Sequence, residues 1–213
     1  MSDAWSDRAE LYRTSSAHRE GADLDLLVEW AAGARTALDV ATGGGHVARR
    51  LREIGIEVVS CDPAQGMEPD VVCFAEELPF GDESFELAVT RVAPHHFADV
   101  QAAADELARV ASDRVLVVDN LFLSDAAEEA EQLRDPSHVR NYSEAEWRGF
   151  LEHAGLVVEE VRRFEFPIEL EPWLERTGCA GADAERAREL LADRITGDRV
   201  VFDRIALRAR KPA

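Results

Sequence analysis

The segment Leu38-Asp39-Val40-Ala41-Thr42-Gly43-Gly44-Gly45-His46-Val47-Ala48 limits this chain more than any other. Residues 35–40 read as a short buried strand that stops just before three consecutive glycines. Residues 46–54 then read as a helix, with Gly55 as the residue that ends it. Glycines between strand and helix allow positive φ and a close approach of backbone to a ligand. The helix N-terminus behind them offers free N–H groups. Gly43-x-Gly45-x-x-Ala48 also fits a dinucleotide fingerprint, although so short a motif equally describes a structural turn.

The rest of the chain repeats the alternation. Further strands are predicted over residues 56–61, 70–74, 85–91 and 114–119, and a helix over 97–110. The last of these strands is apolar and β-branched, as a strand covered on both faces should be. Such alternation implies right-handed crossovers and a mostly parallel sheet with helices on both sides. Residues 1–33 read as helical and stop at Gly33. Beyond residue 120 the pattern changes to an acidic helix over 124–134. A second helix is opened by Ser143 and Glu146, a capping box. A strand over 156–164, two short helices within 167–198 and a last strand over 199–210 follow, an arrangement that predicts an antiparallel C-terminal edge pair. Pro94, Pro136 and Pro167 all fall outside the predicted strands and helices.

Composition narrows the partners. The 213 residues carry 43 acidic and 24 basic side chains, a net charge of −19. Such a chain repels nucleic-acid phosphates and anionic membrane surfaces, so neither partner is expected. At 46% hydrophobic and 31% charged it is globular in composition, and its length predicts a single domain. The cysteines Cys61, Cys73 and Cys179 are widely spaced, which predicts neither a disulfide framework nor a metal site. The first residues lack signal-peptide character, and no apolar run approaches the roughly 18 residues of a membrane span. A cytoplasmic protein is expected.

Asp62-Pro63 ends the second strand. Alone the pair starts a turn; at this distance beyond the glycines, a carboxylate suits the ribose hydroxyls of an adenosine. With these motifs stand Glu76-Glu77-Leu78-Pro79-Phe80-Gly81-Asp82-Glu83-Ser84-Phe85-Glu86, Arg91-Val92-Ala93-Pro94-His95-His96-Phe97, Arg134-Asp135-Pro136-Ser137-His138-Val139-Arg140 and Tyr142-Ser143-Glu144-Ala145-Glu146-Trp147. Together with Tyr12, Ser15, His18 and Gly21 they resemble the class I S-adenosylmethionine-dependent methyltransferases. Within these, the chain is similar to the small-molecule branch of the ubiquinone/menaquinone C-methyltransferases.

The resemblance implies a Rossmann-like, doubly wound α/β sheet and the cofactor S-adenosyl-L-methionine, with S-adenosyl-L-homocysteine as product. It also implies a division into a helical cap (1–33), a cofactor-binding core (34–120) and an acceptor side (121–213) with a helical lid (167–198). Gly43 and Gly45 would line the methionine part of the cofactor, with Asp39 and Ala41 beside them. Asp62, with Pro63, would hold the ribose, and Ala75 and Glu76 would follow the adenine edge. Arg91 and Val92 would face the sulfonium, and Tyr12 and His18 would close over the site.

Two departures from the family pattern stand out. Phe74 occupies the place of an acidic residue that accepts from the adenine amino group, and it cannot accept. Only the six residues 64–69 separate Asp62-Pro63 from Asp70, where a full crossover helix needs a dozen or more. A shortened or absent helix would leave one sheet face bare unless the N-terminal helix, or a second subunit in a homodimer, covers it.

Proton-acceptor candidates must lie at the C-terminal strand ends. His95 and His96 follow the fourth strand, and imidazole titrates near neutrality; either could instead pack or cap the next helix. Asp119 and Asn120 end the fifth strand and could orient an acceptor. His138 and Arg140 lie in a loop that matches the family branch. Arg140 could bind an acidic or phenolate substrate, or anchor the loop. Trp173 gives the lid an apolar side. The leading expectation is methyl transfer to a small-molecule acceptor. A cofactor-binding protein without turnover and an NAD(P)-dependent reductase are the competing readings.

Overall fold

The computed structural model describes residues 2–15 and 19–212, with side chains from Trp5 onward. Eight strands form one sheet: β1 (Thr36–Val40), β2 (Glu57–Asp62), β3 (Val71–Val72), β4 (Phe85–Arg91), β5 (Ala111–Asn120), β6 (Val157–Glu169), β7 (Ile195–Thr196) and β8 (Arg199–Arg210). The order is β3-β2-β1-β4-β5-β8-β6, and β7 pairs with β8. The first five strands in this order are parallel, and β8 runs antiparallel between β5 and β6. This is the doubly wound sheet with an antiparallel C-terminal edge that the sequence predicts.

Helices cover both faces, and side-chain alternation along each strand divides the core between them. On one face α3 (Ala22–Ala31) and α4 (His46–Glu53) bring Leu24, Leu27, Val47 and Leu51 against Leu87, Val89, Leu116 and Val118. On the other, α5 (Val100–Val110) and α7 (Glu144–His153) bring Leu107, Trp147 and Leu151 against Leu38, Val40, Val115 and Val117. The capping box of α7 is formed by Ser143 and Glu146. A third cluster joins α6 (Asp125–Arg134), α8 (Leu170–Glu175) and α9 (Gly181–Leu190) to the ends of β6 and β8. No helix among the described residues is long and apolar enough to cross a membrane.

The structure corrects several boundaries. The N-terminal helical stretch is broken into α1 (Ser2–Asp7), α2 (Ala9–Thr14) and α3. β3 holds two residues rather than five. Pro167 lies inside β6, paired with Val201, rather than outside any strand. β6 is the edge of the sheet, the one place where a strand tolerates a residue without N–H. α5 starts at Val100 because Asp99 caps it, its side chain accepting from Ala102 N at 3.0 Å; Pro94–His96 form a separate 3-10 turn.

The crossover between β2 and β3 is reduced to a 3-10 turn, Gln65–Met67. The N-terminal helices pack on it. Gly66 N donates to Ser6 Oγ at 3.0 Å, and Arg13 Nη2 donates to Gly66 O at 2.7 Å. Ala9, Ala64 and Met67 form a small core with Trp5 and Tyr12. The cover reaches the turn but not the outer strand, since Val72 stays 51% exposed. A Cβ at Gly66 would stand 2.7 Å from Ser6 Cα. Gly66→Ala is therefore expected to unseat α1, to speed proteolysis within residues 2–15, and to lower the melting temperature. Limited proteolysis and calorimetry check this.

Candidate active site

Two buried carboxylates build the glycine turn. Asp39 Oδ2 accepts from Thr42 Oγ1 at 2.6 Å and from Ala48 N at 3.0 Å, tying β1 to the start of α4. Asp62 Oδ2 accepts from Gly43 N at 2.9 Å, and Oδ1 accepts from Ala64 N at 2.9 Å. Burial pushes Asp39 up to about 6 against these hydrogen bonds, and raises Asp62 as well. Gly43 has φ 51°, and a Cβ placed there would meet nothing within 4 Å, so its backbone faces open space.

Strain collects at the same strand ends. Ala41 after β1 and Val92 after β4 hold φ of 57° and 54°. A β-branched residue in this region is costly and persists only where its surroundings hold it. The Val92 N–H donates to Val118 O at 2.7 Å. Both residues line a cleft that opens to solvent.

The cleft holds Asp39, Ala41, Gly43, Asp62 and Pro63 on one wall, and Phe74, Ala75 and Glu76 at one end. Arg91 and Val92 stand at the other strand end, and Tyr12 and Trp5 come from the N-terminal helices. The carboxylate of Asp62, the open glycine backbone and the exposed apolar ring of Phe74 fit an adenosyl ligand. Arg91 Nε donates to Asp23 Oδ2 at 2.9 Å, a carboxylate it shares with Arg204.

His46 fastens the roof. Its Nε2–H donates to Tyr12 O at 3.1 Å, while Arg49 Nη2 donates to Nδ1 at 2.8 Å. Gly44 leaves room for this contact: a Cβ there would lie 2.8 Å from His46 Nε2 and 3.1 Å from the Arg13 backbone.

Three histidines cluster beyond Val92. His95 and His96 rings lie 4.2 Å apart, and His138 is 5.5 Å from His95. His95 Nδ1 sits 2.6 Å from Asp119 Oδ1, and both residues are buried. Burial raises Asp119 to about 7 and depresses His95 strongly. His96 Nδ1–H donates to Ser137 O at 3.0 Å, which leaves Nε2 as its acceptor. Burial and the neighbouring His95 hold His96 down to about 3. His138 Nε2–H donates to Glu128 Oε2 at 3.1 Å; Glu128 and Glu131 raise its pKa against the opposing effect of burial.

A second, smaller cavity adjoins the cleft and shares Tyr12, Val92 and His96 with it. His95, Asn120, Phe166, Trp173, Arg134 and Arg176 line its remaining walls. The predicted residues therefore divide. His96 reaches both cavities and His95 one. His138 lies in neither; it locks α6 to the following loop. Arg140 is also outside, its side chain 50% exposed and paired with Glu146 at 2.6 Å, so it cannot meet a substrate in either cavity. Gly45, φ 72°, is the N-cap of α4 rather than part of the cleft wall. His18 lies outside the described residues. Sequence reasoning missed His46, Arg134 and Arg176. Arg134 opens one of the quoted motifs, and Arg176 stands three residues after Trp173, the two signals that could have found them.

Residues 38–118 match the model of a methyltransferase domain. An uncharacterized methyltransferase of Bacillus subtilis, YcgJ, is 31% identical over 88% of this chain and 82% of its own. The crystal structure of YcgJ superposes with a TM-score of 0.80, at 26% identity, over 90% of this chain and 98% of that one. A crystal structure of a putative methyltransferase from Bacillus halodurans gives 0.79 at 29% identity, over 91% of this chain and all of that one. With the strand order, the glycine turn and the two cavities in place, this similarity along nearly the whole chain means that it belongs to the class I S-adenosylmethionine-dependent methyltransferases.

Proposed function

We propose that the chain transfers a methyl group from S-adenosylmethionine to a small-molecule acceptor seated in the second cavity. The observation that carries this reading is that the two cavities share Tyr12, Val92 and His96 as lining. The bound cofactor supplies an electrophilic methyl group on a sulfonium. The glycine turn, Asp39 and Asp62 hold the adenosyl and methionine parts, and Ala75, Glu76 and Phe74 border the adenine. The strained backbone at Val92 sets the boundary between the two ligands. Alignment of two bound reactants supplies about 7–11 kcal/mol of barrier reduction, so positioning is the main work of these residues.

His96 orients the acceptor molecule by accepting a hydrogen bond from its nucleophile; with its pKa held down to about 3 it positions the group rather than keeping its proton. Its Nδ1–H is committed to Ser137, and burial keeps the ring neutral, so Nε2 retains its lone pair. Residues 167–198 act as the lid of the acceptor side. The roof at residues 1–33 and the core at 34–120 enclose the cofactor.

Calorimetric titration tests the reading. S-adenosylhomocysteine is expected to bind at micromolar concentration and NADH not to bind. Release of S-adenosylhomocysteine with a panel of small aromatic acceptors then tests transfer. NADH binding alone would establish a reductase. Cofactor binding with no turnover across a broad panel would favour a binding protein.

A further inference from the structure

The second cavity concentrates positive charge in a chain whose net charge is −19. Arg134, at the end of α6, and Arg176, just after α8, both line it, with Arg204. Arg204 shares the single carboxylate of Asp23, at 3.2 Å, with Arg91, at 2.9 Å. The nearest carboxylate to Arg134 is Asp135, at 3.9 Å, with Glu131 also acting on it; its Nε donates to Trp173 O at 3.1 Å and its guanidinium lies 4.9 Å from the Trp173 ring centroid. No carboxylate of the described residues pairs with the Arg176 guanidinium; the charged and titratable groups acting on it are Arg134 and the Tyr12 phenol. Arg8 stands close by, donating to Thr177 O at 2.9 Å. The one carboxylate in the wall is Glu131, whose Oε1 accepts from Asn141 Nδ2 at 2.8 Å and which burial pushes toward its neutral form. The remaining walls are apolar: Phe166, Ile168, Trp173 and Phe202.

Two half-buried guanidiniums without a full counter-charge are costly unless an anion joins them. Their planar forks match carboxylate and phosphate oxygens. We propose that this cavity binds the methyl acceptor by an anionic head group, a carboxylate or phosphate, held between Arg134 and Arg176, with an aromatic or otherwise apolar body against Trp173 and Phe166. The proposal rests on the methyltransferase reading for the role of the ligand, not for its charge. With the head at the arginines, the opposite end of the ligand points to Val92 and His96, where the two cavities meet.

The experiment titrates the full chain, saturated with S-adenosylhomocysteine, with 4-hydroxybenzoate, phenyl phosphate and the neutral 4-hydroxybenzamide. At least one anion is expected to bind tenfold or more tightly than the amide. Arg176→Gln, which breaks no ion pair, is expected to remove at least tenfold of that preference while S-adenosylhomocysteine affinity changes less than twofold. Arg162→Gln, on the outer strand, should change neither. The two anions tell a carboxylate site from a phosphate site. Equal binding of charged and neutral probes, absence of binding by all three, or a preference that survives both Arg176→Gln and Arg134→Gln overturns the proposal. If S-adenosylhomocysteine does not bind, the methyltransferase reading fails, and the same anion comparison on the protein alone still decides the charge of the ligand.

Discussion

Asp62→Ala is expected to weaken S-adenosylhomocysteine binding by about a hundredfold or more, close to 3 kcal/mol. The carboxylate has two tasks. It accepts from Gly43 N and Ala64 N, and so holds the glycine turn against the shortened crossover. In the proposed complex its remaining lone pairs accept from the ribose. A hydrogen bond to a charged group contributes about 1.5–3 kcal/mol, and a buried donor left without its acceptor costs about 1–3 kcal/mol. Losing both exceeds the effect of either alone. Asp62→Asn separates them. Its one carbonyl oxygen accepts from one of the two N–H groups, and its NH₂ cannot accept from the other, so an intermediate loss of about tenfold is expected. Calorimetry reads the affinity. A melting curve without ligand reads how much of the effect is the turn itself. An Asp62→Ala variant that binds the cofactor product as tightly as the unchanged protein would remove Asp62 from the site.

The central strands of the sheet were legible because both of their faces are buried. Val115, Val117, Leu116 and Val118 are apolar on either side of the sheet, and such a run has few other uses. The edges were less legible. Val71-Val72-Cys73-Phe74 reads as a strand, yet it leaves the sheet after Val72. Cys73 N donates to Asp62 O at 3.3 Å, and the chain then turns to place Phe74 at the cleft, 60% exposed. Pro167 misled for the related reason that edge strands relax the rule against proline.

The site was legible where chemistry and local turn coincide, as in the glycines and Asp62. It was illegible where tertiary distance decides. Arg134 reads as a cation that suits the end of an acidic helix, and Arg176 as one more charge in a polar insert. Only folding brings them to one cavity. Arg140 had the same chemistry and the wrong address: Glu146, six residues on, takes it to the surface. The roof also joins the two cavities. Tyr12 lines both, His46 holds its carbonyl, and Arg8 ties α2 to Thr177 of the insert. The roof of the cleft and the wall of the second cavity are thus packed as one unit.

Asp23→Asn is expected to lower the unfolding free energy by about 3–5 kcal/mol, because it leaves buried guanidiniums without their shared carboxylate. Asp23 lies in the first turn of α3, and its Oδ2 meets Arg91 Nε at 2.9 Å and Arg204 Nη1 at 3.2 Å. All three side chains are 3% exposed. The melting temperature should fall by roughly 6–20 °C. Although burial alone would raise it, the two arginines hold the Asp23 carboxyl below its ordinary value of 3.8. A depressed carboxylate contributes stability that is complete above the unfolded pKa and is lost as pH falls through the lower, folded one. The unchanged protein should therefore lose this stability below about pH 4, and Asp23→Asn should lack that part of the acid slope. The same carboxylate bears on function, because Arg91 stands in the cleft wall. Uncompensated, its charge would repel the sulfonium of S-adenosylmethionine but not the neutral thioether of S-adenosylhomocysteine. Asp23→Asn is therefore expected to weaken S-adenosylmethionine binding more than that of its product, by severalfold. Parallel titrations of the two ligands, below the melting transition of the variant, measure this ratio. An unchanged ratio would show that the Asp23 cluster serves the fold alone.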